Sequence, residues 1–294
     1  MAGATSTLSS IATGRQATKR AWWLLQHPLL PGLKLSAGFS FFYLTLVVLL
    51  PIAALFVYVS DLTWAQYWHA ITHPRVVSSY VVTLKAAFYS TVLALAIGFL
   101  FAWVIARYEF QGRGFLDACM DVPFALPTSV AGLTLAALWM PNGWLGQWLA
   151  PMGVKVSYAF PGIVVAMTFT SLPFVVRVVQ PVIEALGIEH EEAAYLLGAT
   201  ASQRFFRVLL PPLFPALLTG AGQAFIRSLG EFGAVMMIAG NIPFKTEVGS
   251  LMIFVRLQEF EYGAAAAIAS VILFASLILL FLLQWAQRRL SRWQ

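Results

Sequence analysis

Arg227 and Glu231 are the only ionisable residues in Val208–Ala239, an apolar run long enough to cross a bilayer. Four residues apart on a helix, they share one face. Ionisable groups in such a run face a cavity or another helix rather than lipid. Two roles are open to them. Arg227 supplies positive potential along a pathway through the membrane, with Glu231 tuning it, or the two neutralise each other and lock the helix to its neighbours. The sequence favours the locking pair. A second place for chemistry is Thr128 and Ser129, directly after Pro127. Proline frees backbone groups and breaks a helix at membrane depth, and a broken helix turns its positive N-terminal end toward an anion. The alternative is that these hydroxyls simply satisfy local backbone.

A third cluster is acidic. Glu189, Glu191 and Glu192 precede Ala193, Ala194, Tyr195, Leu196 and Leu197, and Gly198 follows. Acids in a first turn complement the helix dipole, and glycine just past the last turn supplies a left-handed stop. Thr200 and Gln203 then have the spacing of a capping box. The segment from about 180 to 212 therefore predicts two short helices joined at Gly198, the second ended by Pro211 and Pro212. The small Ala193 and Ala194 let another surface approach, and Tyr195, Leu196, Phe205 and Phe206 are anchors for a helix-in-groove contact.

Composition sets the frame for these residues. Of 294 residues, 60% are hydrophobic and only 10% charged, against about 25% charged in soluble domains. A single soluble core is complete by about 200 residues, so this much apolar sequence implies an all-α polytopic membrane protein. The net charge of +6 is too dilute for a nucleic-acid surface. Cys119 stands alone, which excludes an internal disulfide and a cysteine metal site. His69 and His73 are four apart but lie in a polar, Trp-rich stretch, which points to an interfacial segment rather than metal ligands. No apolar run contains His, and Asp121 lies only at a boundary, so there are no residues for an intramembrane active site.

Six segments have the length and apolarity of spans: Phe39–Ser60, Ala86–Ala106, Val122–Met140, Val156–Val176, Val208–Ala239 and Tyr262–Gln287. The first is too long, and begins too late, for a signal peptide. Arg15, Lys19, Arg20, Lys34, Arg107, Arg113, Arg204, Arg207, Arg288, Arg289 and Arg292 fall on one side of these spans. Only Arg75, Lys155, Lys245 and Arg256 fall on the other. The positive-inside rule then places both termini in the cytoplasm. Residues 1–37 read as a cytoplasmic or interfacial segment, with Ala17–Leu35 suited to the lipid headgroup layer. Residues 38–287 form the six-helix membrane domain, and 288–294 a cytoplasmic tail. Arg177 and Lys85, at span edges, read as snorkelling anchors. Trp64, Tyr67, Trp68, Trp144 and Trp148 on the outer side suit an aromatic belt.

The string Glu192-Ala193-Ala194-x-x-x-Gly198, followed after nine residues by Val208-x-Leu210-Pro211, resembles the EAA loop of ABC importer permeases, with Val208 where isoleucine is usual. Pro127-Thr128-Ser129-Val130-Ala131-Gly132 and Ser228-Leu229-Gly230-Glu231-Phe232-Gly233 resemble the sulfate/thiosulfate permeases, over roughly Phe39 to Gln287. The resemblance implies a type I ABC importer permease fold. It also implies docking of Glu192, Ala193, Ala194 and Gly198, with Glu191 beside them, in a cleft of a separate ATPase subunit. Implied partners are a homologous second permease, two ATP-binding subunits and a periplasmic sulfate/thiosulfate-binding protein, in a bacterial inner membrane. The chain itself then needs no cofactor, ATP and magnesium being held by the ATPase. Consistent with that, the nearest approach to a phosphate-binding loop, Ala239–Thr246, has Ala239 and Phe244 where glycines belong. The alternatives are a permease for another oxyanion, such as molybdate or tungstate, or an ion-coupled secondary transporter. The latter is disfavoured by a single buried acid and by the lack of an obvious repeat.

Overall fold

The computed structural model describes residues 33–290. The readings made for 1–32 and 291–294, including most of the interfacial segment, lie outside the described residues. Two compact units are present, the first ending at Val57 and the second beginning at Tyr58. Every regular element among the described residues is helical. Five helices have the length and apolarity to cross a membrane, or six if one sharply bent pair counts as a single span.

The first unit is most of helix α1 (Leu35–Ser60). It is uncharged, and it contains a π turn at Thr45–Leu49, just before Pro51. Proline has no N–H and its ring crowds the preceding turn. The wide turn absorbs this by i→i−5 bonding, Leu50 N–H donating to the Thr45 carbonyl.

In the second unit, α2 (Trp64–Thr72) is opened by a capping box between Thr63 and Gln66. It is followed by α3 (Pro74–Arg107), α4 (Arg113–Met120), α5 (Val122–Ala125) and α6 (Thr128–Trp139). Next come α7 (Phe160–Ala185), α8 (Glu189–Leu196), α9 (Ala201–Leu229), α10 (Gly233–Ile238), α11 (Gly249–Gln258) and α12 (Tyr262–Leu290).

The core is the mutual packing of α3, α7 and α9. Val175 of α7 is wedged between two glycines. A Cβ on Gly98 of α3 would lie 2.9 Å from the Val175 Cβ, and one on Gly220 of α9 would lie 3.2 Å from its Cα. Small residues at such crossings let backbones approach closely, the main source of helix association in lipid. Val176, Val179, Ile183 and Leu213 fill the cluster around this wedge.

Four expectations from the sequence change. The second span begins twelve residues earlier than Ala86, at Pro74, because proline suits a first helical turn. Lys85 therefore lies well inside α3, exposed, and not at a span edge. The third span, by contrast, is broken where Pro127 predicts: its two parts meet at 112° across Leu126–Pro127. The fifth stops at Leu229 and restarts at Gly233, so Arg227 and Glu231 do not share one continuous helix. Pro211 and Pro212 do not end a short helix either. A second π segment, Arg204–Leu209, precedes them and carries α9 through without interruption.

Candidate functional site

The two motifs that set this sequence apart meet in space. At the bend, Leu126 and Pro127 are extended, and α6 restarts at Thr128 with no side-chain cap. At the second break, α10 restarts at Gly233. These two starts lie against each other. A Cβ on Gly233 would collide with Thr128 Oγ1 and lie 3.1 Å from both the Ser129 nitrogen and its Oγ. One turn on, a Cβ on Gly132 would lie 2.6 Å from the Ala234 Cα. The half-helices α6 and α10 thus cross with backbones touching, over Ile163 and Met167 of α7.

Arg227 and Glu231 hold one side of this crossing. Arg227 Nη1 sits 2.6 Å from Glu231 Oε2, and the Glu231 side chain is 1% exposed. The other carboxylate oxygen accepts a hydrogen bond from the Ala234 N–H at 3.1 Å, capping the first turn of α10. Ser250 Oγ of α11 donates to the Glu231 carbonyl at 2.8 Å. A carboxylate with this burial is held by its arginine and its cap together. Just before the break, Ser228 is buried within 3.1 Å of Ser90 on α3. Thr128, Ser129, Arg227 and Glu231 are thereby gathered around one crossing, with the charges of the ionic pair cancelled.

The bend before α6 is fastened by residues that sequence reasoning assigned elsewhere. Arg177 of α7 donates from Nε and Nη2 to both carboxylate oxygens of Asp121, at 2.9 and 2.6 Å. It also donates from Nη1 to Asp117 Oδ1 at 2.6 Å and from Nη2 to the Asp117 carbonyl at 3.0 Å. Arg177 is therefore a clamp on α4 and not a free snorkelling anchor. Phe124 adds an edge contact to Phe174, with centroids 5.3 Å apart.

The acidic segment forms the second candidate site. Gly187, with φ +62°, turns the chain from α7 into α8, and Gly198, with φ +81°, ends it. Thr200 and Gln203 make the reciprocal capping bonds. Glu192 and Ala193 are exposed, as are Tyr195, Leu196 at 84% and Leu197 at 88%. A Cβ on Gly198 would meet nothing within 4 Å. Ala194 is half-buried. Glu191 turns inward, its carboxylate 2.9 Å from Arg107 Nη2 at the end of α3. Phe205 also turns inward, packing edge-on against Phe99 and Trp103. It anchors α9 internally, leaving Phe206, 60% exposed, on the surface.

At the far end of α3 from α8, Arg75 makes a bidentate pair with the buried Glu247 at 2.8 and 2.5 Å. An open cavity of about 960 Å³ lies near that end, lined among others by Gln66, His69, His73, Arg256 and Tyr262. Trp64, Trp68 and Phe260 are exposed on nearby segments. Trp64 stacks on Tyr67 and Trp68 within α2. No metal-binding group of three or more His, Cys, Asp or Glu exists among the described residues.

Comparison with known proteins places this arrangement. Residues 94–294 match the family model described as binding-protein-dependent transport system inner membrane component. The sulfate transport system permease protein CysT of Escherichia coli is 59% identical over 90% of this chain and 95% of its own length. That of Salmonella typhimurium matches to the same extent. Among solved structures, a chain of a bacterial alginate ABC transporter, crystallised with its alginate-bound periplasmic protein, superposes with a TM-score of 0.68. It covers 94% of this chain and 97% of its own at 18% identity, a likeness of fold. The chain belongs to the family of binding-protein-dependent transport system inner membrane components and, within it, to the sulfate transport system permease proteins.

Proposed function

We propose that this chain is the membrane-spanning permease subunit of an ATP-driven importer of sulfate and thiosulfate. The observation that carries this reading is the 59% identity to sulfate permeases along nearly their whole length. It stands together with a short helix, α8, on which Tyr195 and Leu196, with Leu197 at its end, are exposed. In this reading the chain sits in a bacterial inner membrane with both termini in the cytoplasm, the side that the lysine and arginine distribution favours.

In this reading Glu192, Ala193, Tyr195, Leu196 and Gly198 dock in the cleft of a separate ATPase subunit, two copies of which hold ATP and magnesium. A homologous permease forms the other wall of the pathway. A periplasmic binding protein delivers the anion to the end opposite α8, where Trp64, Trp68 and Phe260 are exposed. The chain does no chemistry of its own. Its pathway surface is the start of α6, where Thr128 and Ser129 supply hydroxyls beside uncapped backbone N–H groups. Arg227 is neutralised by Glu231, so attraction for a dianion rests on donors and helix ends, which bind without trapping it.

The test is uptake of radiolabelled sulfate in cells lacking their own sulfate importer, with this chain and its partners expressed. Uptake that requires the ATPase and is blocked by thiosulfate but not molybdate is the expected result. Competition by molybdate alone overturns the substrate. Uptake that persists without the ATPase and collapses with the proton gradient overturns the importer.

A further inference from the structure

Arg107 occupies an unusual position for a terminal arginine. It closes the 34-residue α3, yet its side chain is only 12% exposed. Three groups hold it. Trp103, one turn back, lies under the guanidinium with 5.4 Å from Cζ to the ring centroid. The carbonyl of Gly187, the turn that launches α8, accepts from Nη1 at 2.8 Å. Glu191, in the first turn of α8, closes the ion pair at 2.9 Å. One side chain thus grips both the hinge and the base of the docking helix. Both fix it to α3, not to α7, from which α8 emerges in sequence.

α3 leads straight to the crossing. Ser90 of α3 lies 3.1 Å from Ser228, the last buried residue but one before the break that seats Glu231. Seventeen residues separate Arg107 from Ser90, which on an α-helix is about 25 Å of rise. An uninterrupted helix over that length moves as a rod, because its backbone bonds are all internal.

We infer that Arg107 and Glu191 form the strut that transmits motion of α8 into α3, and through Ser90 to the break at Gly230–Phe232. Glu191 is therefore a positioning residue acting through Arg107, not a docking contact. This rests on the proposed function of α8 and goes beyond it, because it names the internal path by which docking reaches the pathway. Coupling between distant sites is established only by interaction between variants along the path.

The experiment uses the complete transporter, with both permeases, the ATPase and the binding protein, reconstituted in proteoliposomes. ATP hydrolysis and sulfate import are measured together. Arg107→Gln and Glu191→Gln are each expected to lower import more than about tenfold while ATP hydrolysis falls less than about twofold, so that ATP consumed per sulfate rises several-fold. The double variant is expected to be no worse than the poorer single, since both remove one link. Arg107→Lys, which keeps the charge, is expected to recover import at least partly.

Normal import by both single variants overturns the strut, as does a double variant whose losses multiply. Loss of the ATPase subunits from the purified complex of either single variant also overturns it, because Arg107 and Glu191 would then serve assembly. Failure of the wild-type complex to import sulfate counts instead against the proposed function.

Discussion

The α8 segment and the crossing of α6 with α10 use the same residue types for opposite ends. At α8, glycine stops a helix in open space: Gly198 adopts φ +81° and its missing Cβ would touch nothing. At the crossing, glycine removes bulk: Gly132 and Gly233 have no room for a Cβ at all. Glu192 is exposed in the first turn of its helix, whereas Glu231 is buried, bonded to the backbone of its helix and paired to Arg227. The difference separates a surface shaped to be met by another molecule from a joint shaped to hold itself. Substitutions in the first should change transport far more than stability, and those in the second should change stability first.

The strongest test of that contrast is Gly198→Asp. A charge projecting from the open end of α8 is expected to cut sulfate uptake more than about tenfold, while membrane insertion stays normal and stability in detergent falls by no more than about 1 kcal/mol. Gly198→Asn, which tolerates a left-handed backbone, is expected to keep uptake within about threefold of wild type. Equal defects in the two would show that backbone strain, not docking, is the cause.

Glu231→Gln should do the reverse. It strands Arg227 without its counter-charge and is expected to cost about 2–3 kcal/mol, read as a fall of several degrees in Tm. The double variant with Arg227→Gln should recover part of that loss. A single variant as stable as wild type would mean that the pair does not hold the crossing.

Alanine sharpens the comparison at matched chemistry. Gly132→Ala drives a Cβ into the Ala234 backbone and is expected to cost about 2 kcal/mol, against about 1 kcal/mol for Gly198→Ala. Unfolding curves that ranked them the other way would break the distinction. The smallest effect belongs to the clamp on α4. Arg177→Gln removes partly exposed pairs and should cost about 0.5 kcal/mol. The sensitive measure there is faster maleimide labelling of Cys119, which α4 holds half-buried.

The same contrast explains what the sequence disclosed. The stop at Gly198, the capping box at Thr200 and the break at Pro127 depend on groups within a turn of each other, so spacing alone reveals them. Arg177 finds Asp121 and Asp117 across fifty-six and sixty residues. No periodicity carries that, and at the end of an apolar run an arginine clamp looks like an anchor. The inward turn of Glu191 was hidden for the same reason: the sequence shows an acid in a first turn, whereas its partner lies on α3. The break at Gly230 was obscured by hydropathy, which reads continuously across Val208–Ala239 while the backbone does not. Proline misled in the other direction, because Pro211 and Pro212 were expected to stop a helix that a π turn carries past them.

That π turn fixes an angular relation. Arg204–Leu209 holds one residue more than an α-helix of equal rise would use. Everything after it is rotated by about 100° relative to the start of α9. Removing any one residue there would restore ordinary spacing and leave hydropathy almost unaltered. It would nonetheless swing Thr200 and the α8 segment about a quarter turn around the axis of α9. Loss of a residue anywhere along 204–209 would therefore displace the docking segment, whereas an exchange at an exposed position there, such as Phe206, would leave it in place.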